Sequence, residues 1–465
     1  MKGKNCFSLV FVIILVVLVL FLGGCGGQPS PSDQEAPQQN SFTQQEPSTQ
    51  IDADSQEVAS TKKSAATLEG ELPSTASLKP SDLTYLGAFR LPSDAPDEIG
   101  WSWSGNALAY YPDGDPAGAE DGFPGSLFGT GHNWNTYVSE ISIPAPVISR
   151  SLGDLPIAET LQPFSDIRGD LFPPFEIPRV GLAYLPAEPP QTTGKLYFVW
   201  SDHAPGNEMD ADTSLGWSET TLDDPRPAGA WAVGRYPKYV TSDYLFPIPR
   251  PWGDTYLSGA YLAAGRFRDG GQGSMGPTLF GIAPWQEGNP PSPGAVIPAT
   301  PLLLYGSVNM EHPHMLADYS HADEWSGGAW LTAGEKSAVV FVGTKGLGET
   351  WYGCMDGTVW PDEPPFPPEC AERGWWANAF EGQMLFYNPD DLAAVAKGRK
   401  ETWEPQPYAV LSLDDVLFHV SSTQQKHHLG AAAFDRGNGL LYVLEPLADE
   451  DRSIVHVWRV DVTPP

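Results

Sequence analysis

The chain has 465 residues and a formal net charge of −32, from 26 basic and 58 acidic side chains. Binding to a phosphate backbone needs a basic footprint, so this charge excludes that class and we expect no nucleic-acid partner. The 48 glycines, 47 prolines, 16 tryptophans, 17 tyrosines and 20 phenylalanines indicate short strands with frequent turns rather than long helices.

The first 24 residues have the organisation of an export signal. Lys2 and Lys4 precede an apolar run from Cys6 to Leu22, which is the usual order of a positive start and a hydrophobic core. The run is nearly long enough to span a bilayer, which takes about 20 apolar residues, so an uncleaved anchor and ordinary secretion are the alternatives. The sequence Leu22-Gly23-Gly24-Cys25 resembles the lipobox of bacterial lipoproteins. This resemblance implies cleavage before Cys25 and acylation of its side chain.

The expected location follows from that lipidated cysteine. Two or more acyl chains anchor a protein stably to a bilayer, so we expect a domain held at a membrane outside the cytoplasm. Gly26 follows the cysteine where a retention aspartate could stand, and by family analogy a Gram-negative host would send the protein to its outer membrane. Residues 25–79, rich in Gln, Ser, Pro and Thr, are predicted to form a disordered tether, which leaves residues 80–465 as the folded domain.

Five segments of this domain share one hairpin pattern. Each has a strand of small and aromatic residues, a turn and a second apolar strand, and they begin at Leu108, Gly181, Tyr261, Gly328 and Gly430. Further apolar strands follow at 137–143, 230–233, 384–387 and 454–460. About five sheets of up to four strands predict an all-β fold, a single β-propeller. Small residues in the first strand of each sheet suit the centre of the propeller, where backbones approach closely.

The predicted propeller has a candidate for ring closure. The last unit ends at its third strand, and residues 83–91 could supply the outer strand and remove an exposed edge. The units exceed the roughly 40–50 residues of common propeller repeats, so six or seven blades remain open beside five, and a pair of β-sandwiches is the rival fold. The stretches Tyr85–Pro92 and Gly131–Trp134 resemble those of uncharacterised secreted bacterial propeller proteins, a resemblance that implies no activity.

Two of the four cysteines are left for the domain. Cys354 and Cys370 lie close together in a Pro-rich segment, and in an oxidising compartment we predict that they form a disulfide; a metal-binding pair is the alternative. The aromatic pairs Trp351-Tyr352 and Trp375-Trp376 flank them. They predict either an exposed recognition loop or a plug over one end of the propeller.

Standard catalytic and metal signatures are missing from the sequence. It contains no Gly-x-Ser-x-Gly, no His-Glu-x-x-His and no phosphate-binding glycine loop. The turns Asp113-Gly114-Asp115 and Asp210-Ala211-Asp212 begin like calcium loops. However, Pro124 and Thr221 stand at the twelfth position, where an EF-hand has a bidentate Glu. Solvated turns are therefore the preferred interpretation.

Histidines, acids and tryptophans cluster in two classes of predicted loop, those preceding a first strand and those following a second strand. Both classes open on the same face of a propeller, so side chains from at least four blades could converge there. The candidate ligand or metal residues are His132, Asp202, His203, His312, His314, His321, Asp323, His427 and His428, with Glu324 beside them, and the candidate aromatic contacts are Trp101, Trp103, Trp134 and Trp325.

Three functions are compatible with such a face. Aromatic rings under sugar rings, with polar side chains on the hydroxyls, would bind a carbohydrate, and this is the interpretation we favour. Imidazoles and carboxylates could instead hold a divalent metal with an open position for water, or act as acid and base, in a hydrolase or lyase acting on a glycan. The third alternative is a protein-interaction scaffold, because propellers present loops to other proteins. Whether the protein is an enzyme stays open at this point.

Overall fold

The computed structural model describes residues 76–173, 178–202, 212–267, 272–361, 363–368, 370, 372–418 and 426–461. All of them belong to one compact unit, Gly70–Pro465. The predictions for the signal peptide, Cys25, the tether up to residue 75, His203 and Asp210 lie outside these residues. Residues 76–79, predicted as the end of the tether, are described: Ala76–Ser77 forms a short strand and Leu78 is buried. Within them, no helix is long and apolar enough to cross a membrane.

The described chain is built mainly from strands. In chain order they are β1 (Ala76–Ser77), β2 (Leu83–Arg90), β3 (Leu108–Tyr111), β4 (Ser126–Thr130), β5 (Val138–Ser142), β6 (Thr160–Ser165), β7 (Pro178–Leu185), β8 (Lys195–Asp202), β9 (Thr213–Ser218), β10 (Ala228–Val233), β11 (Tyr244–Pro247), β12 (Leu262–Gly265), β13 (Leu279–Ile282), β14 (Val296–Ile297), β15 (Ala299–Leu303), β16 (Glu324–Ala333), β17 (Lys336–Gly353), β18 (Gly374–Tyr387), β19 (Ala409–Ser412), β20 (Ala432–Asp435), β21 (Leu440–Asp449) and β22 (Arg452–Val460). The α-helices are α1 (Lys238–Thr241), α2 (Arg250–Tyr256) and α3 (Pro389–Ala396). Asn388 caps α3 by accepting the Asp390 N–H.

The strands form five sheets, which are the five blades of a propeller. From the inner to the outer strand, blade 1 is β3-β4-β5-β6, blade 2 is β7-β8-β9-β10, blade 3 is β11-β12-β13-β15, blade 4 is β16-β17-β18-β19 and blade 5 is β20-β21-β22-β2. Two short strands add parallel pairs, β14 to β10 and β1 to β17. The predicted all-β propeller and its five blades are confirmed.

The ring of blades is closed by a strand from the start of the domain. β2 pairs antiparallel with β22, from Leu83 opposite Val460 to Arg90 opposite Ile454, as the sequence predicted. Without β2, the last blade would leave the hydrogen-bonding groups of β22 exposed at an edge, which is a site for unwanted pairing.

The hairpin prediction was wrong in blade 3. The strand beginning near Tyr261 is the second strand of this blade, and β11 is its inner strand. β11 reads Tyr-Leu-Phe-Pro and so lacks the small residues that marked the other inner strands. Helix α2 is inserted between β11 and β12, so the two strands do not follow each other as a short hairpin does.

The core lies between successive blades. The largest fully buried side chains include Trp200, Trp231, Trp325 and Trp330, and burying one large apolar side chain contributes about 1.5–3 kcal/mol. At the centre, backbones approach closely: a Cβ on Gly181 of β7 would lie 2.7 Å from the Cα of Tyr244 in β11. A larger residue at position 181 would therefore push two inner strands apart.

The strand directions place the candidate loops at one end of the propeller. Segments that enter a first strand, and those that join a second strand to a third, open on the same side, which we call the loop face. In blade 4 the joining segment is a long projection, because β17 and β18 are 18 and 14 residues long. We call residues 345–381 the blade 4 hairpin. It contains the predicted disulfide, Cys354–Cys370, with an S–S distance of 2.13 Å and a Cα–Cα distance of 6.0 Å.

Candidate functional site

Two exposed tryptophans mark the loop face beside blades 1 and 5. Trp103 precedes β3 and is 52% exposed, and Trp134 lies between β4 and β5 and is 72% exposed. They are the exposed tryptophans of the described chain. The Asn133 N–H donates to the carbonyl of Trp103 at 3.2 Å, and the Trp103 N–H donates to the carbonyl of Asp451 at 2.6 Å. Both indoles are therefore presented by backbone segments that are bonded to each other and to blade 5.

The turn that carries Trp134 is held by several hydrogen bonds. The carbonyl of His132 accepts the Thr136 N–H at 2.7 Å, and the amide of Asn135 donates to the carbonyl of Glu98 at 2.6 Å. The His132 ring accepts the Trp134 N–H at 3.2 Å and packs edge-on against the indole, with ring centroids 5.2 Å apart. A turn fixed in this way loses little conformational freedom when a ligand binds.

Acidic groups surround this tryptophan pair. Burial lowers the pKa of His132, and the negative charges of Asp451, Glu98 and Asp97 act in the opposite direction. The Oδ1 atom of Asn133 is buried and accepts no hydrogen bond from the described residues. Carboxylates therefore lie near the indole of Trp134, and carboxylates accept hydrogen bonds from hydroxyl or amine groups.

Across the loop face, His427 joins blades 4 and 5. Its Nδ1 lies 2.6 Å from Oε2 of Glu324, at the start of β16, and its Nε2 lies 2.9 Å from Oε1 of Glu372 in the blade 4 hairpin. Burial opposes the charge on the ring, but the charges and hydrogen bonds of the two glutamates outweigh it and raise the pKa of His427 to about 9. The hydrogen bond from His427 also lowers the pKa of Glu372. His427 is therefore an imidazolium that donates from both nitrogens at neutral pH.

The backbone at both places is in the left-handed region. Trp103 has φ +54° and His427 has φ +57°. Non-glycine residues adopt such angles rarely, at a cost of roughly 1–3 kcal/mol, and they concentrate at binding and active sites. The Ala431 N–H donates to the carbonyl of Gly105. Trp103 lies two residues before Gly105 and His427 lies four residues before Ala431, so they flank the same junction between blades.

Two further candidates extend the cluster along blade 4. The His321 ring stacks on Trp375, with centroids 4.3 Å apart and planes at 15°. Asp323 is buried and receives Lys345, whose Nζ lies 2.8 Å from Oδ1 and 3.1 Å from Oδ2. Burial raises the pKa of Asp323 to about 6, with Lys345 acting in the opposite direction.

The blade 4 hairpin is packed at its base and exposed at its tip. Trp376 is buried and Trp375 covers His321, whereas Met355, Val359 and Phe366 are more than half exposed. The base thus has the packing expected of a plug, and the tip has the exposure expected of a recognition loop.

Other candidate side chains are engaged elsewhere. Asp202, at the end of β8, forms an ion pair with Lys238 at 3.1 Å. The His314 ring stacks on Trp403, with ring centroids 4.4 Å apart. Trp403 lies in the segment that follows α3, at the outside of blade 4. His312 is exposed in the same loop as His314. His428 is buried and bonded to Asp414 at 3.0 Å.

Trp101 and Trp325 are core residues, 2% and 0% exposed. They support the loop face from beneath, and we do not include them in the binding surface.

The described residues give no support to a metal centre, because no group of three or more His, Cys, Asp or Glu side chains among them could hold a metal ion. Both nitrogens of His427 are occupied by glutamates. In the Asp113 turn, Oδ1 of Asp115 accepts the Ala117 N–H, which is typical of a self-satisfied turn.

No family model matches this sequence, and no curated protein matches it either. Its function is therefore inferred from the loop face.

Proposed function

We propose that this protein is a lipid-anchored, extracytoplasmic β-propeller that binds a carbohydrate on its loop face. The observation that carries the binding proposal is the pair of exposed indoles, Trp103 and Trp134, held on hydrogen-bonded turns. Exposed tryptophans on a rigid support are suited to ring stacking, since an indole supplies a large contact area with little entropy to lose. The anchor and the location rest on the lipobox-like sequence before Cys25.

The charges around the indoles favour a neutral or cationic sugar. Asp97, Glu98 and Asp451 act on His132 beside Trp134, and the chain as a whole carries −32. These carboxylates would repel a polyanionic glycan, because like charges across an interface disfavour binding. Carboxylates instead accept hydrogen bonds from hydroxyl or ammonium groups.

The experiment is a titration of the full domain with neutral, amino and uronic-acid oligosaccharides, by calorimetry after an array screen. An aromatic contact contributes up to about 1.5 kcal/mol, which is about tenfold in affinity, so Trp103→Ala and Trp134→Ala should each weaken binding by up to about tenfold. The control is Ile148→Ala, 70% exposed on the β5–β6 connection at the opposite end. Unchanged affinity in the tryptophan variants, or a preference for uronic acids, would count against the proposal.

The same titration separates the two alternatives. Release of shortened or unsaturated products, lost in His427→Asn, would identify a hydrolase or lyase that uses the imidazolium and its glutamates. If no oligosaccharide binds to the folded domain, the interaction scaffold is the better description, with the exposed tip of the blade 4 hairpin as its first candidate surface.

A further inference from the structure

His132 contacts the exposed Trp134 in two ways, through a hydrogen bond and through its ring. The Nδ1 atom of His132 accepts the Trp134 N–H at 3.2 Å. The imidazole packs edge-on against the indole, with ring centroids 5.2 Å apart and planes at 62°. Because Trp134 is 72% exposed, its indole has few neighbours to hold it. The His132 side chain is therefore a support for both the backbone and the ring of Trp134.

The turn that contains Trp134 is closed by backbone bonds that do not involve the imidazole. The carbonyl of His132 accepts the N–H groups of Asn135 and Thr136, at 3.1 and 2.7 Å. These bonds use main-chain atoms, so another residue at position 132 would keep them. What the His132 side chain adds is the orientation of Trp134 within that turn.

The hydrogen bond to Nδ1 depends on the protonation state of the ring. A neutral imidazole has one nitrogen that accepts, whereas an imidazolium donates from both nitrogens, so a proton on Nδ1 would face the Trp134 N–H. Burial lowers the pKa of His132. The charges of Asp97 and Glu98, which precede β3, and of Asp451, in the turn between β21 and β22, act in the opposite direction. The neutral form of His132 therefore predominates at pH 7.

Trp103 is held without a titratable acceptor. Its N–H donates to the carbonyl of Asp451 at 2.6 Å, and its own carbonyl accepts the Asn133 N–H at 3.2 Å. Main-chain carbonyls keep their acceptor capacity across the physiological pH range, so we expect the orientation of Trp103 to stay the same. The two exposed indoles of the loop face therefore differ in whether a proton can remove part of their support.

We propose that His132 is a positioning residue of the carbohydrate site, which orients Trp134 while the imidazole is neutral and releases it when the ring is protonated. This inference rests on the proposed carbohydrate site and adds a pH dependence to it. Protonation removes the acceptor of the Trp134 N–H and places a positive charge beside the indole. Binding through Trp134 should therefore weaken in mildly acidic solution, whereas the contribution of Trp103 should persist.

Asparagine at position 132 separates the acceptor from the titration. In an Asx turn the side-chain oxygen of asparagine accepts the backbone N–H two residues on, which is the bond that His132 makes to Trp134. Asparagine does not titrate, so His132→Asn should orient Trp134 at every pH, whereas His132→Ala should fail to do so at every pH. Both variants keep the main-chain bonds of the turn and should fold, which circular dichroism checks.

The first measurement follows the backbone amides of Trp134 and Trp103 by NMR in the full domain, labelled with 15N-tryptophan, as the pH is lowered from 7.5 to 5. Trp134→Phe and Trp103→Phe assign the two cross-peaks. We expect the Trp134 peak to shift with a midpoint below pH 6.5, and the Trp103 peak to stay in place. A Trp134 peak that does not move, or that moves equally in His132→Asn, would overturn the inference whether or not a sugar binds.

The second measurement is the affinity for the neutral oligosaccharide that binds most tightly in the array screen. At pH 7.5, His132→Ala should weaken binding by roughly threefold to tenfold, the range of one neutral hydrogen bond, and His132→Asn should restore the loss. At pH 5 the unaltered protein should approach the affinity of His132→Ala, while His132→Asn keeps its own. Equal weakening in both variants would overturn the role of His132. If no oligosaccharide binds, the carbohydrate proposal fails, and the amide titration still decides whether His132 orients Trp134.

Discussion

His427 is charged because the charges and hydrogen bonds of two glutamates outweigh the partial burial of its ring. Glu324 comes from an inner strand and Glu372 from the blade 4 hairpin, so the ring ties two elements of blade 4 to the segment that enters blade 5. Since the pKa of His427 rises from 6.5 to about 9 in the folded protein, its contribution to stability is fully present below pH 6.5. That contribution is lost as the pH rises through about 9. Glu372 has a lowered pKa, so its contribution is present above its ordinary pKa and is lost as the pH falls through the lowered value.

We predict that His427→Asn removes a pH-dependent part of the stability between pH 6.5 and 9. Asparagine tolerates the positive φ of this position, so the variant tests the charge rather than the backbone. Because 40% of the His427 side chain is exposed, solvent screens the ion pairs and we expect an effect of only about 1 kcal/mol. Urea unfolding across this pH range measures it, with exposed His312→Asn as control. A His427→Asn curve parallel to that of the unaltered protein would contradict the prediction.

Residues of the site could be predicted from the sequence when their loop could be recognised as one that precedes a first strand or follows a second strand. Trp103, His132, Trp134 and His427 lie on the loop face, because each is close in sequence to a correctly assigned inner or second strand. Glu372 was missed: it is 55 residues from His427, and it reaches the imidazole only because β17 and β18 are so long. That length depends on pairing between distant segments, which local sequence does not reveal.

Trp101 and Trp103 show a second limit of the sequence. They are two residues apart in one loop, yet Trp101 is 2% exposed and Trp103 is 52% exposed. Trp101 packs against Phe164 of β6, with centroids 4.9 Å apart, a contact between distant parts of the chain. Residue type alone could not separate the two indoles.

At the scale of elements, β2 is the strand on which ring closure depends. It joins the start of the domain to its last blade. Phe89, near its end, is 0% exposed and packs in a cluster with Leu127 of blade 1 and Val455 of blade 5. Arg90 adds a bidentate pair to Asp449, with N–O distances of 2.9 and 3.1 Å. The strand is therefore fixed by both apolar packing and charge.

We predict that Phe89→Ala destabilises the whole domain by about 3–5 kcal/mol, the usual cost of a Phe-to-Ala change in a core. Thr84→Ala, at an exposed position of the same strand, should change the free energy of unfolding by less than about 0.5 kcal/mol. Urea unfolding followed by tryptophan fluorescence and by circular dichroism measures both. Similar small losses in the two variants would mean that β2 does not hold the ring closed.

Elements with repeated local pattern were found from the sequence, and those without it were not. The inner strands beginning near Leu108, Gly181, Gly328 and Gly430 were recognised because small residues and a nearby partner strand accompany each of them. β11 escaped because Tyr244 to Pro247 resembles an ordinary apolar strand and α2 separates it from its partner. Its position at the centre is decided by packing against β7 and β16, which a local pattern does not encode.

At the scale of the whole molecule, the propeller presents different chemistry at its two ends. The loop face combines exposed indoles with carboxylates and an imidazolium. At the opposite end, Arg436 donates to neutral acceptors, which are the carbonyls of Trp330 and Pro247 and the hydroxyl of Thr332. Five blades could be predicted because strand repeats set the number of sheets. The chemistry of the two ends could not, because it depends on which side chains meet across blade junctions.

We predict that Cys25 carries a lipid and that the N-terminal segment directs the protein to a membrane. In a bacterial host fed an alkyne-tagged palmitate, the unaltered protein should be labelled and should sediment with membranes. Cys25→Ser should lose the label, and Cys6→Ser, within the predicted signal, should keep it. One acyl chain binds a bilayer only marginally, whereas two or more anchor it stably, so extraction of the unaltered protein should require detergent. If Cys25→Ser is unlabelled but still needs detergent, the apolar run from Cys6 to Leu22 is an uncleaved anchor; if it is released while the unaltered protein was never labelled, the segment directs ordinary secretion.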